Sequence, residues 1–372
     1  MVCDFLALAA PGVRELTPYN PGKPIAELKR ERGLSDVVKL ASNENPLGPS
    51  PHALEAIENS LPHIARYPDG SGYALRESLG SQLGVSPSQI TLGNGSNDAL
   101  ELVARTFVTH MDEVVFSQHA FAVYPLITQA LGARAVVTAA QNWGHDLAAM
   151  QQAVTARTRL VFIANPNNPT GTWLSHARLE AFLAAMPEHV MVVVDEAYFE
   201  YVEEPGYPDG INLLALFPQL VVTRTFSKIH GLAGLRIGYA VSHPVVAELM
   251  NRVRQPFNCN SLALEAAQAA CADRVHVEKS KAINKQGLRQ LTAAFHSLGL
   301  SYIPSVANFV CVDMGGFAMP VSEALLEQGV IVRPVANYGL PHHLRVTIGL
   351  PHENTRFVQA LREVLRGHGD DA

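Results

Sequence analysis

The chain has 372 residues, 48% of them hydrophobic and 17% charged, with a formal net charge of −6. That is a globular composition, long enough for one large domain, a smaller companion and a sizeable buried core. The mild negative charge and the lack of any basic run argue against nucleic acid as a partner, and no apolar stretch approaches the ~20 residues that span a bilayer.

The N-terminal "MVCDFLALAAPGVREL" has a short apolar run, no basic residues ahead of it and an early Asp4. It does not read as a signal peptide, and a soluble, cytoplasmic protein is expected. The first forty-odd residues are punctuated by Pro and Gly ("TPYNPGKP", "SNENPLGPSP"), which predicts a segment that wraps a surface or lines a cleft. Helical patterns follow at Pro51–Ser60 and Gly72–Gly84. From Gln89 the texture changes. The runs "QITL", "EVVFS", "RAVVTA", "RLVFIAN", "HVMVVVD", "QLVVTRT" and "RIGYAVS" alternate with helical stretches. Continuous apolar runs suit strands covered on both faces, and the alternation predicts βα units around a mostly parallel sheet. A long helical region, about Leu262–Leu298, comes next. "NFVCVDM", "GVIVRP" and "HLRVTIG" then read as strands of a smaller α+β unit. The expected organisation is an N-terminal segment 1–47 joining the small domain, a large α/β domain 48–275, and a small C-terminal domain 276–372. Cys3, Cys259, Cys271 and Cys311 are far apart and show no metal-ligand spacing, so reduced, buried thiols and no metal site are expected.

Ligands of open α/β sheets bind beyond the carboxyl ends of the strands, and four such ends carry unusual residues. In "TLGNGSNDALELV" glycines make a turn and Ser96 can cap a helix running from about Asn97. A helix N-terminus suits a phosphate, though a capped turn without ligand has the same pattern. In "FIANPNNPTG" Asn168, held before Pro169, can aim its amide at a ligand oxygen, or the run is turn chemistry alone. In "MVVVDEAYFEY" Asp195 ends an apolar strand, where a carboxylate needs a partner: a cationic ring nitrogen or backbone amides. Tyr198 follows three residues later. The fourth end is "TRTFSKIHGLAGLRIGY". Only seven lysines occur in the chain, and Lys228 is the single one between Lys39 and Lys279. A desolvated lysine near other cations becomes a nucleophilic amine that can form a Schiff base with an aldehyde. Arg236, with Ser96, Thr225 and Ser227, could hold a phosphate by charge-assisted bonds. An aldehyde, a pyridine nitrogen, a phenolic oxygen and a phosphate together describe pyridoxal 5′-phosphate. A nucleotide-binding module fits poorly, because "GNGSND" lacks the G-x-G-x-x-G and P-loop patterns.

The ordered set "GNGS", "NPNNPTG", "DEAY", "TFSKIHGLAGLRIG" and "LRVTIG" resembles the fold-type I, pyridoxal-phosphate-dependent aminotransferases. "YNPGKP", "SNENPLGP" and "RYPDGSGYALRESL" are similar to their histidinol-phosphate aminotransferase branch. The likeness runs from about Pro18 to Gly349. It implies a seven-stranded, mostly parallel sheet and roles residue by residue. Lys228 would hold the cofactor and shuttle a proton. Asp195 would pair with the ring nitrogen, and Tyr198 and Asn168 with the 3′-oxygen. Gly95, Ser96, Asn97, Thr225, Ser227 and Arg236 would cradle the phosphate. Tyr67 resembles a tyrosine that reaches the neighbouring subunit's phosphate, which implies a homodimer. The stacking ring falls to Phe121, with Tyr124 nearby as the other candidate. Arg345 would bind the α-carboxylate of glutamate, and Arg333 the phosphate of histidinol phosphate, with Tyr19 and Asn43 lining the same substrate pocket. His119 and His230 lie near motifs but are assigned no chemistry. An aromatic amino-acid aminotransferase, or a decarboxylase of phosphorylated amino acids, could use the same residues.

Overall fold

All seven apolar runs form one sheet in the computed structural model, which describes residues 3–19, 21–316 and 318–369. The strands are β1 (Ile90–Gly93), β2 (Glu113–Ser117), β3 (Arg134–Thr138), β4 (Thr158–Ala164), β5 (Met191–Asp195), β6 (Leu220–Thr225) and β7 (Gly238–Ser242). Their spatial order is β1-β7-β6-β5-β4-β2-β3. Every neighbouring pair is parallel except the two made by β7, which runs antiparallel between β1 and β6. Successive side chains of the central strands feed two separate cores. Val161, Ile163, Val192, Val194 and Val222 join one cluster, and Leu160, Phe162, Val193 and Val221 the other. Both faces are therefore covered, which is why these strands read as unbroken apolar runs.

The helix Pro51–Ser60 has the predicted bounds, with the Ser50 hydroxyl accepting from the Ala53 amide. Tyr73–Leu83 is bracketed by Gly72 and Gly84, both left-handed. The stretch Leu262–Leu298, expected as one helical region, is two helices, Ser261–Ala272 and Arg274–Ser297. Asp273 breaks it: with ψ at 73° it leaves the helix, and its carboxylate accepts from the His276 amide to start the next one.

The C-terminal strands Tyr302–Ile303, Phe309–Asp313, Leu340–Thr347 and Arg333–Val335 form an antiparallel sheet in that order. "GVIVRP" is two strands rather than one. Val330–Ile331 pairs in parallel with the N-terminal Val38–Lys39, and only Arg333–Val335 joins the four-stranded sheet. Val38 and Leu40 share a core with Val310, Val312, Val330 and Phe357. The N-terminal segment thus packs on the C-terminal unit and carries residues 41–44 toward the strand ends of the large sheet. Asn20, in "YNPGKP", lies outside the described residues. All four cysteines are free thiols, but Cys3 is exposed and Cys271 only half-buried, contrary to the expectation of burial. Cys3 falls in an N-terminal stretch whose side chains, Phe5 to Leu8 among them, are exposed. Among the described residues no helix is long and apolar enough to cross a membrane.

Candidate active site

At the C-terminal ends of β4, β5 and β6 lies a cavity of ≈ 240 Å³, closed over by residues of the N-terminal segment and the small sheet. It is where an open α/β sheet places its ligands.

Asp195 is the last residue of β5, and the register sets it between Ala164 of β4 and Thr223 of β6. Its carboxylate is buried. Oδ1 accepts from the Thr223 hydroxyl at 3.0 Å and Oδ2 from the Tyr124 hydroxyl at 2.8 Å. Burial pushes its pKa up, while these donors and the Ala197 amide pull it down. Side-chain hydroxyls therefore take much of the role that sequence reading offered to backbone amides.

Lys228 follows β6 in a turn whose apolar neighbours Phe226 and Ile229 are buried and fix the backbone. Its Nζ donates to the Ser42 carbonyl at 3.1 Å and faces the cavity. Desolvation, with the Arg345 guanidinium nearby, lowers its pKa to about 7. The amine is thus substantially neutral near neutral pH, as a nucleophile requires.

Beside it is a pocket of donors. The helix Ser96–Phe107 begins at Ser96 itself, one residue earlier than expected, with Gly95 as its N-cap and no side-chain cap. Gly95 can turn the chain there because it holds φ at +84°, and a Cβ on it would collide with the Arg236 guanidinium. The Ser96 hydroxyl is not spent on capping; Asp98 instead secures the turn by accepting from the Asn94 amide at 2.8 Å. Ser96, Asn97, Thr225, Ser227 and Arg236 all line the cavity, with Gly95 directly behind. Arg236 is itself left-handed (φ 57°), and its Nη1 donates to the Ser227 hydroxyl at 3.2 Å. Among the described residues it pairs with no carboxylate.

Arg345, on Leu340–Thr347, is buried and also lacks a carboxylate partner among the described residues. Nη1 donates to Asn168 Oδ1 at 2.6 Å and Nη2 to the Ala41 carbonyl at 2.7 Å, while Nε has no hydrogen-bond partner among the described residues. A buried guanidinium with spare donors calls for an anion. Asn168, so held, keeps its NH2 group for a ligand. Tyr198 is buried, and its hydroxyl accepts from Asn43 Nδ2 at 2.9 Å, which leaves its own O–H to donate. Asn43 holds φ at 55° and is tied down by Thr347 and Asn308. At the mouth, the Arg333 guanidinium lies 5.6 Å from the centroid of the Tyr19 ring. Both line the cavity.

Of the two candidate rings, Phe121 lines the cavity, whereas Tyr124 lies behind it, fully buried and stacked on Phe162 at 4.5 Å. Tyr67 is outside the cavity, 83% exposed and stacked on Phe257. His119 Nδ1 is bonded to the Tyr338 carbonyl, and His230 packs on Phe226, with burial lowering its pKa to about 4. Sequence reading missed Glu44, which lines the cavity, the Tyr124 contact, and a buried pair behind Asp195. There Arg224 Nε and Nη2 both reach Glu196 Oε2, at 2.9 and 2.7 Å. The "DE" and "TRT" spellings were the available signal: one charge just past the end of an apolar strand and one inside another.

The donor set suits a phosphorylated pyridine aldehyde. There is an amine near neutrality, a carboxylate for a cationic ring nitrogen, a phenol and an amide for a ring oxygen, and an arginine without a carboxylate at a helix N-terminus. Residues 35–361 match the family described as aminotransferase class I and II. The chain belongs to this family. Among aminotransferases of known name, histidinol-phosphate aminotransferase 2 of Pseudomonas fluorescens is 60% identical over 364 residues, covering 97% of this chain and 98% of the relative. Histidinol-phosphate aminotransferase 1 of Nitrosococcus oceani is 60% identical over 361 residues, 97% of this chain and 98% of the relative. The crystal structure of histidinol-phosphate aminotransferase from Sinorhizobium meliloti, in complex with pyridoxal-5′-phosphate, superposes with a TM-score of 0.89 at 30% identity, over 96% of this chain and 98% of that one. The fold is thus that of the fold-type I aminotransferases.

Proposed function

We propose that this aminotransferase interconverts histidinol phosphate plus 2-oxoglutarate with imidazole-acetol phosphate plus glutamate, in histidine biosynthesis, using pyridoxal 5′-phosphate. The observation that carries the reading is a single cavity holding a near-neutral lysine and two arginines, Arg345 and Arg333, that suit two different anions. Glutamate presents an α-carboxylate and histidinol phosphate a phosphate, so one donor set must accept both in turn.

Bound there, the cofactor supplies an aldehyde for amines and a cationic ring that draws electron density from the substrate carbon. The chain supplies the rest. Lys228 would hold the cofactor through Nζ and, as a free amine, would carry the proton from the amine-bearing carbon of the substrate to the carbon that was the cofactor's aldehyde. Asp195 keeps the ring nitrogen protonated. Tyr198 and Asn168 would hold the ring oxygen, and Phe121, which lines the same cavity, would lie against the ring. The amides of Gly95, Ser96 and Asn97, with Thr225, Ser227 and Arg236, hold the cofactor phosphate. Arg345 orients the glutamate carboxylate, while Arg333, Tyr19 and Asn43 receive the phosphorylated substrate.

The active form is a homodimer in which Tyr67 reaches the neighbouring cavity. The exposure of a tyrosine stacked on a half-exposed phenylalanine supports this, and light scattering at twice the 40.2 kDa chain mass checks it. The large domain spans 48–275, and 1–47 with 276–372 make the small one, a division supported by the pairing of Val38 with Val330. The enzyme works in the cytoplasm on small molecules. Steady-state kinetics on purified holoenzyme test the substrate: histidinol phosphate is turned over at least tenfold more efficiently than phenylalanine, or about 1.4 kcal/mol in the barrier. Preference for phenylalanine would mark an aromatic aminotransferase, and carbon dioxide release without a 2-oxo acid a decarboxylase.

A further inference from the structure

We infer that Tyr124 is a positioning residue, holding Asp195 charged and aimed at the cofactor ring nitrogen. The inference rests on the pyridoxal phosphate reading of the cavity and adds a residue to it. Tyr124 does not line the cavity. Its hydroxyl sits 2.8 Å from Asp195 Oδ2, with no solvent exposure anywhere on the side chain. Its ring is fixed from two sides: parallel to Phe162 of β4 at 4.5 Å, with 4° between planes, and edge-on to Phe121 at 5.9 Å. Burial and the adjacent carboxylate push the phenol pKa well up, so the group stays a donor across the working pH range. Asp195 has the opposite problem. Burial favours its neutral form, and a neutral acid cannot counter a cationic ring. The Tyr124 and Thr223 hydroxyls donate to different oxygens, which fixes the carboxylate plane as well as its charge. Tyr124 therefore links the ring that covers the cofactor, Phe121, to the group that meets its nitrogen.

A cofactor analogue separates this role from simple packing. Dissociation constants are measured on cofactor-free protein for pyridoxal 5′-phosphate and for its 1-deaza analogue, which has C–H in place of the ring nitrogen. Tyr124→Phe keeps the stacked ring and removes only the hydroxyl. It should weaken pyridoxal phosphate about tenfold, yet change the deaza analogue less than about twofold, because the lost charge–charge contact exists only with the natural ring. In an Asp195→Asn background, which keeps the shape of the site, the same substitution should have no selective effect on either compound. Equal losses for both compounds in the Asp195 protein, or no loss for either, would overturn the role of Tyr124. Failure of the unsubstituted protein to bind pyridoxal phosphate would remove the underlying reading instead.

Discussion

Desolvation and the Arg345 guanidinium bring the Lys228 amine down from 10.5 to about 7. A neutral amine attacks an aldehyde and an ammonium does not, so the pH dependence of cofactor capture reports this pKa. For the cofactor-free protein, the capture rate should rise about tenfold per pH unit below the pKa and level off near pH 7. An ordinary lysine would keep accelerating beyond pH 9, and stopped-flow mixing with pyridoxal phosphate distinguishes the two. Lys228 was legible in the sequence because it is isolated and flanked by apolar residues. So was Asp195, as a charge ending an apolar strand. The partner of Asp195 was not: Tyr124 lies 71 residues away along the chain, and only the neighbouring positions of β4 and β5 and the helix Val123–Ala130 bring them together. Sequence reading likewise expected Ser96 to cap its helix. Gly95, free to adopt a positive φ, does so instead and leaves the hydroxyl for the cavity.

Between elements, the contact that most directly fixes the strand ends is Arg224 of β6 with Glu196, the residue after β5. Both side chains are at most 4% exposed, and Arg224 also reaches Asp209 and lies over the Phe199 ring. Glu196 adjoins Asp195, and Arg224 lies between Thr223 and Thr225, so the pair holds together the backbone that presents Asp195 and Thr225 to the cavity, with Thr223 behind them. Removing one partner of a buried pair strands the other charge. Arg224→Met should therefore cost about 3–5 kcal/mol in urea denaturation. A loss below about 1 kcal/mol would mean the pair behaves like a surface bridge. Strand positions were legible because apolar runs match strands buried on both faces. Element breaks were less so. Asp273 splits a helical pattern that has no Gly or Pro at the break, and "GVIVRP" divides because its two halves pair with strands at opposite ends of the chain, Val38–Lys39 and Leu340–Thr347.

At the scale of the molecule, the cavity exists only because distant parts of the chain meet, among them residues 41–44, the ends of β4 to β6, the start of the helix Ser96–Phe107, and Arg333 and Arg345 of the small sheet. Composition and charge exclude partner classes but say nothing of that convergence. Ordered motifs read along the chain did anticipate which residues meet there, because several of the βα turns place polar side chains at a strand end. Pairing of Val38–Lys39 with Val330–Ile331 had no local signal, since two-residue strands leave none. Lys228 is the proposed attachment point of the cofactor. Borohydride reduction of the holoenzyme, followed by proteolysis and mass spectrometry, tests this most directly. The account predicts a phosphopyridoxyl group on the peptide containing Lys228 and on no other. An unmodified Lys228 peptide, or the label on Lys39 or Lys285 instead, would contradict it.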